Sequence, residues 1–243
     1  MAHPLSERIT AMFSDLSFDS RRHLYYLGSE ILPSVSKKVA DLAPKFNAEK
    51  ILPYSARKQR TTVPILREQW NNTRDVACAE GTETHTFAEE FNGMQKPLNE
   101  LQRAAVKFFL EWVHKNDYVI IAKECRVYSG KYRYAGTFDL LLQHRYTGKL
   151  LLIDYKTNKD LFKSYDYLLP PFTMMEDTPF NKYQLQLSFY RICLQEMGID
   201  IDETYVVWFS RDGRYEILDT SDFTEELKDH MTKQLPNVVN YRW

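Results

Sequence analysis

Two neighbouring stretches, Gly136-Thr137-Phe138-Asp139-Leu140-Leu141-Leu142 and Leu150-Leu151-Leu152-Ile153-Asp154-Tyr155-Lys156, set the architecture of this chain. Each is an apolar run of strand length, and Tyr146-Thr147-Gly148 between them fits a hairpin loop. Each also carries a carboxylate, which is costly inside an apolar strand unless it is paired or bound to a cation. Asp154 and Lys156 are two residues apart and so share one strand face. If the hairpin pairs, Asp139 approaches the same spot from the adjacent strand.

Outward from this hairpin, Val119–Tyr128, Tyr134–His144 and Lys149–Tyr155 are rich in β-branched and aromatic residues, which predicts three sequential antiparallel strands. Downstream, the pattern predicts an aromatic loop over 159–179, a helix over Phe180–Met197, strands at Glu203–Ser210 and Arg214–Leu218, and a last helix over Asp222–Gln234. Upstream, Leu101, Ala105, Phe108, Phe109 and Trp112 form one stripe of a helix from Pro97 to Lys115. A further helix runs from Ile65 to Phe91, bent near Gly81-Thr82. Residues 37–42 read as a short helix and 44–65 as irregular. The order is that of an α/β domain with a central mixed sheet flanked by helices. Residues 1–75 read as a helical or irregular, basic N-terminal extension and 76–243 as the core.

Composition narrows the classes. Of 243 residues, 44% are hydrophobic and 14% aromatic, enough for a packed core, so disorder is excluded. No apolar run reaches the length of a membrane span. The first thirty residues mix arginines with acids and carry no apolar signal core, so the expectation is a soluble intracellular protein without a membrane role. Cys78, Cys125 and Cys193 are far apart and unpaired in spacing, which reads as three core fillers. The net charge of −1 hides an asymmetry: residues 31–74 hold nine Lys/Arg against three acids, and residues 200–235 hold ten acids against four bases. A basic stretch of this kind is either a solvated face or a site for a polyanion.

Two carboxylates at one place suit a hard divalent cation such as Mg²⁺. The same residues also fit a buried Asp–Lys ion pair, and spacing alone does not separate the two. Gly81-Thr82-Glu83-Thr84-His85 adds a histidine, with Glu89 one turn later, and Gln186 and Tyr190 stand at i and i+4 on one helix face. Taken in order, Gly-Thr-x-x-His, Gly-x-x-Asp, Asp-x-Lys-Thr and Gln-x-x-x-Tyr resemble the signature of RecB-like exonucleases in the PD-(D/E)XK nuclease superfamily. The likeness covers roughly residues 81–210. Upstream, Leu32-Pro33-Ser34-Val35-Ser36 is similar to the Pro-Ser-Val-Thr segment of phage-type exonucleases and the mitochondrial genome maintenance exonuclease, with Ser36 in place of Thr.

The resemblance implies a restriction-endonuclease-like core and a metal-dependent DNA exonuclease working from a free end. Asp139 and Asp154, the carbonyl of Tyr155 and the imidazole of His85 would hold Mg²⁺ or Mn²⁺. Lys156 would position the attacking water, and Gln186 and Tyr190 would orient the strand. The cysteines of iron–sulfur branches are absent, so no such cluster is expected. Arg57, Lys58, Arg60 and Arg67 in the basic segment would contact phosphates. In the loop after the Asp-x-Lys strand, Phe162, Tyr165, Tyr167 and Phe172 alternate with Lys159 and Lys163: either the rings stack unpaired bases while the lysines follow the backbone, or the rings pack the loop onto the core, and the resemblance tips the reading towards stacking. The expected partner is DNA that is single-stranded or has a single-stranded end, with a recombination or replication protein alongside. The expected setting is repair or recombination in the cytoplasm of a bacterial or phage-infected cell. Competing readings are an endonuclease on the same core and a non-catalytic nucleic-acid-binding protein.

Overall fold

Residues 3–235 are described by a computed structural model and form two sheets of unequal size. The chain begins with helix α1 (Pro4–Met12) and three short antiparallel strands, β1 (Leu16–Asp19), β2 (Leu24–Leu27) and β3 (Glu30–Leu32). Helices α2 (Val35–Asp41), α3 (Ala48–Lys58), α4 (Val63–Glu90) and α5 (Glu100–Lys107) follow, the last running into a π-helical turn over Phe108–Val113. The larger sheet starts with β4 (Tyr118–Ser129), β5 (Tyr134–His144) and β6 (Leu150–Lys156). It crosses over through α6 (Pro179–Glu196) and ends with β7 (Glu203–Phe209) and β8 (Tyr215–Asp219), before helix α7 (Thr224–Gln234). Its order is β4-β5-β6-β7-β8, antiparallel except for the parallel β6–β7 pair. This is the expected mixed sheet flanked by helices, consistent with a restriction-endonuclease-like core.

Strand β6 lies between two helical layers, so it reads as an unbroken apolar run rather than an alternation. Leu140, Leu142, Leu151, Ile153 and Tyr155 pack with Phe108 and Phe109 on one face, while Leu141, Leu152 and Val206 pack with α6 on the other. Helix α6 starts where Thr178 accepts the N–H of Asn181 at 3.0 Å and Pro179 takes the first turn. The N-terminal segment is fastened to β5. Ala135 N–H donates to the Pro33 carbonyl at 3.0 Å, and the Tyr25 hydroxyl meets Thr137 Oγ1 at 2.9 Å. At Gly136 a Cβ would lie 2.6 Å from Tyr190 Cε1 and 2.9 Å from Val35 Cγ2. Glycine there lets α2 and α6 both reach the strand.

The upstream region differs from the sequence expectation in ways that have physical causes. Residues 44–65 hold α3, started by Asn47 accepting the Lys50 N–H at 3.1 Å, and Pro64 sits in the first turn of α4, where a missing N–H is tolerated. Helix α4 runs unbroken through Gly81 and through residue 75. Gly81 marks a close approach rather than a bend, since a Cβ there would lie 3.3 Å from Thr157 Oγ1. Strands β1 to β3 are too short to show a periodicity. Helix α3 and the start of α4 form a hairpin with its own small core of Leu52, Ala56 and Leu66. The following stretch 71–79 is exposed, so Cys78 is a surface thiol. Cys125 is half-buried, and only Cys193 is the core filler expected of all three. Among the described residues no helix is long and apolar enough to cross a membrane.

Candidate active site

Strands β5 and β6 pair from Gln143↔Leu150 to Leu140↔Ile153, and there the ladder ends. Beyond it, Asp139 Oδ2 takes the N–H of Tyr155 at 2.5 Å, so a side chain replaces the next rung. Strand β6 continues to pair with β7 as far as Lys156↔Trp208. The split sets Asp139 on one side and Asp154 with Lys156 on the other. Both carboxylates are withdrawn from solvent, Asp154 to 1% exposure and Asp139 to 7%.

Each oxygen of Asp154 has a neighbour. Gln186 Nε2 donates to Oδ1 at 2.9 Å and lies 3.2 Å from the Tyr190 hydroxyl, so the i, i+4 pair on α6 acts on one carboxylate. Lys156 Nζ comes within 2.5 Å of Oδ2, a charge contact that leaves this buried oxygen without a well-angled hydrogen bond. The same ammonium lies over the Tyr183 ring, 4.5 Å from its centre. Burial pushes Asp154 up to about 7; Lys156 opposes that shift and Asp139 reinforces it. Burial works against the charge on Lys156 too, but the two aspartates outweigh it and raise its pKa.

Gly81 brings α4 close to the end of β6, and one turn later His85 Nδ1 stands 3.4 Å from Asp139 Oδ1 and 3.7 Å from Glu124 Oε1. Burial alone would lower the imidazole pKa, yet the carboxylates of Asp139 and Glu124 hold it up to about 10. Burial likewise opposes the charge on Asp139, but His85, Lys156 and the Tyr155 N–H win, and its carboxyl stays below the ordinary value. The end of α4 is fixed to β4 by Lys123, whose Nζ donates to the carbonyls of Ala88, Glu89 and Phe91 at 2.9 Å each. Glu124 was not singled out from the sequence. A signal was available: Lys123-Glu124 is a charged pair inside an apolar strand, and the hairpin register sets residue 124 opposite Asp139.

His85, Asp139, Asp154, Lys156, Gln186, Tyr190 and the main chain of Tyr155 therefore converge. The ligand atoms of His85, Glu124 and Asp139 lie within 4.8 Å of one another, two carboxylates and an imidazole that fit Mg²⁺ or Mn²⁺, whereas Asp154, expected as a ligand, falls outside that group, with its buried Oδ2 short of a hydrogen bond among the described residues. The basic residues stand elsewhere. Arg57, Lys58 and Arg60 are exposed on the α3–α4 hairpin, and Arg67 is engaged by Glu49 through two contacts of 2.7 Å. Lys159 borders a cleft with Arg74, Asn158 and Arg211. Lys163 sits over the ring of Tyr165, which is 85% exposed. Phe162 and Tyr167 are also exposed, whereas Phe172 is buried against Phe223, so it packs the loop onto the core instead of facing a strand.

Residues 46–242 match the family model described as the PD-(D/E)XK nuclease superfamily, which spans most of the chain. No curated protein matches the sequence.

Proposed function

Because the chain belongs to the PD-(D/E)XK nuclease superfamily, we propose that it is a divalent-metal-dependent DNA exonuclease of the RecB-like kind, acting from a free end and favouring single strands. The superfamily accounts for the coarser part, a metal-dependent nuclease with DNA as substrate. The observation that carries the reading is the convergence of Asp139, Asp154 and Lys156 at the split between β5 and β6, with His85 and Gln186 upon them.

A bound divalent cation supplies Lewis acidity to the scissile phosphate and to water. Asp139, Asp154, His85 and the Tyr155 carbonyl would hold it. Lys156, kept charged by its two aspartates, orients the attacking water and sets positive charge where negative charge grows on phosphorus. Gln186, itself steadied by Tyr190, fixes the rotamer of Asp154. The exposed Tyr165 and Phe162 beside Lys163 support base stacking along an unpaired strand, worth about 1–3 kcal/mol per base. The exposed Arg57, Lys58 and Arg60 would add phosphate contacts at longer reach. A cytoplasmic place in DNA repair or recombination, beside a replication or recombination partner, belongs to the same proposal.

The test is digestion, with Mg²⁺, of a linear single strand, a covalently closed circle of the same sequence, and the linear duplex. The linear single strand should be degraded fastest and the circle should survive. Rapid opening of the circle would make the protein an endonuclease, and preference for the duplex would remove the stacking loop from the account.

A further inference from the structure

Asp139 presents its two oxygens to different neighbours. Oδ2 is taken by the Tyr155 N–H at 2.5 Å, while Oδ1 faces His85 Nδ1 at 3.4 Å on the side away from β6. Glu124 Oε1 lies 3.7 Å from the same nitrogen, and the ligand atoms of His85, Glu124 and Asp139 all fall within 4.8 Å of one another. Neighbouring ligands about 2.1–2.3 Å from a common hard cation lie about 3.0–3.3 Å apart, so the three groups stand slightly wide of a closed set and side-chain adjustment would draw them in. His85 and Glu124 also line a surface cleft with His23, Thr82, Thr86 and Glu89, so these two ligands are reached from solvent, with Asp139 buried behind them. The carboxylate of Asp154, by contrast, is engaged by Gln186 and Lys156.

Two further observations point to the same place. Consecutive residues of a regular strand face opposite ways, yet Lys123 and Glu124 both reach α4. The backbone of Glu124 is left-handed, with φ of 45°, a conformation uncommon for a non-glycine residue. Below the cluster, the ring of Tyr155 packs edge-on to His85 at 5.8 Å. The Tyr155 hydroxyl is fully buried and has no hydrogen-bond partner among the described residues, and Asp139 and Glu124 are the charged groups that act on it.

We infer that Glu124, with His85 and Asp139 Oδ1, forms a divalent-cation position on the cleft side of Asp139, making Glu124 a metal ligand that none of the sequence motifs contains. The inference deepens the nuclease reading and rests on it for what the cation does.

The experiment is titration of the full chain with Mn²⁺ in the absence of DNA, following free Mn²⁺ by electron paramagnetic resonance. Glu124→Gln keeps shape and removes charge, and is expected to weaken Mn²⁺ binding at least tenfold. Glu89→Gln, a charge change in the same cleft, should stay within twofold of wild type. If Glu124→Gln unfolds, Glu124→Asp supplies the measurement, again with at least tenfold weakening expected. Binding by the folded Glu124 variant within twofold of wild type would overturn the inference. DNA cleavage by the wild-type chain, measured alongside, keeps the two readings apart. Glu124-dependent Mn²⁺ binding without cleavage would remove the nuclease reading and leave the cation position, and cleavage with Glu124-independent binding would do the reverse.

Discussion

Gly136→Ala should cripple the site without touching a charged group. A methyl at this position would lie 2.6 Å from Tyr190 Cε1 and 2.9 Å from Val35 Cγ2, whereas carbon atoms in contact settle at about 3.5–4.0 Å. Both the Tyr190 ring and the α2 helix must retreat, by about 0.6–1 Å, and overpacking of this kind costs about 1–3 kcal/mol. For a chain of this size each kcal/mol lowers Tm by about 2–4 °C, so differential scanning calorimetry should record a fall of about 2–12 °C. The effect on turnover follows from the relay behind Tyr190. Its hydroxyl is 3.2 Å from Gln186 Nε2, and Gln186 in turn holds Asp154 at 2.9 Å. A shift of about 1 Å breaks the first contact, frees Gln186 and lets Asp154 rotate, for which a loss of order 10²-fold in kcat is expected. Adding Val35→Ala to Gly136→Ala relieves the clash on the α2 side and should return part of the Tm but little of the rate. A Gly136→Ala protein with wild-type Tm and wild-type kcat would refute the packing argument. A lowered Tm with an intact rate would refute the relay from Gly136 to Asp154.

Other expectations follow from the same geometry. Lys156→Ala should lower kcat by about 10²–10³-fold while calorimetric Mn²⁺ binding persists, because a protonated amine offers no lone pair; loss of the metal as complete as in Asp154→Ala would reverse that division of roles. The folded protein raises the Asp154 carboxyl from 3.8 to about 7, so without metal it holds a proton that the unfolded chain releases. Stability from this group is therefore greatest below about pH 4 and is lost as pH rises toward 7, and Asp154→Asn should flatten that part of the Tm–pH curve. Neutralising Arg57, Lys58 and Arg60 together should raise KM and flatten its salt dependence with kcat unchanged, since fewer counterions are released on binding; a fall in kcat at constant KM would place them at the reacting centre.

The core was legible because its signals are local. Leu150-Leu151-Leu152-Ile153 is an apolar run of strand length next to the turn residues Tyr146-Thr147-Gly148, which reads as a strand, and Asp154-x-Lys156 at its end shares one face by the period of the strand. Gln186 and Tyr190 were legible for the corresponding reason on a helix, and the structure adds that both serve Asp154. What escaped depends on distant contacts. Gly81 reads as a helix breaker until Thr157 is seen 3.3 Å from where its Cβ would be, and Phe172 reads as a stacking ring until Phe223 covers it. Strands β1 to β3 have three or four residues each, too few for a period, and are held by pairing and by packing of Tyr25 and Leu32 on Ala135. Glu124 was visible as a charge in an apolar strand, but its direction is set by a left-handed backbone that no alternation rule anticipates.

The most direct test of the central claim is release of end label from linear DNA by the purified chain, with Mg²⁺, with excess EDTA, and with Asp154→Asn in place of the wild type. Cleavage should appear only with the metal and should fall by at least about 10³-fold in Asp154→Asn, the carboxylate on which Lys156 and Gln186 both converge. Cleavage that continues in EDTA, or that Asp154→Asn leaves undiminished, would contradict a metal-dependent nuclease centred on the split between β5 and β6.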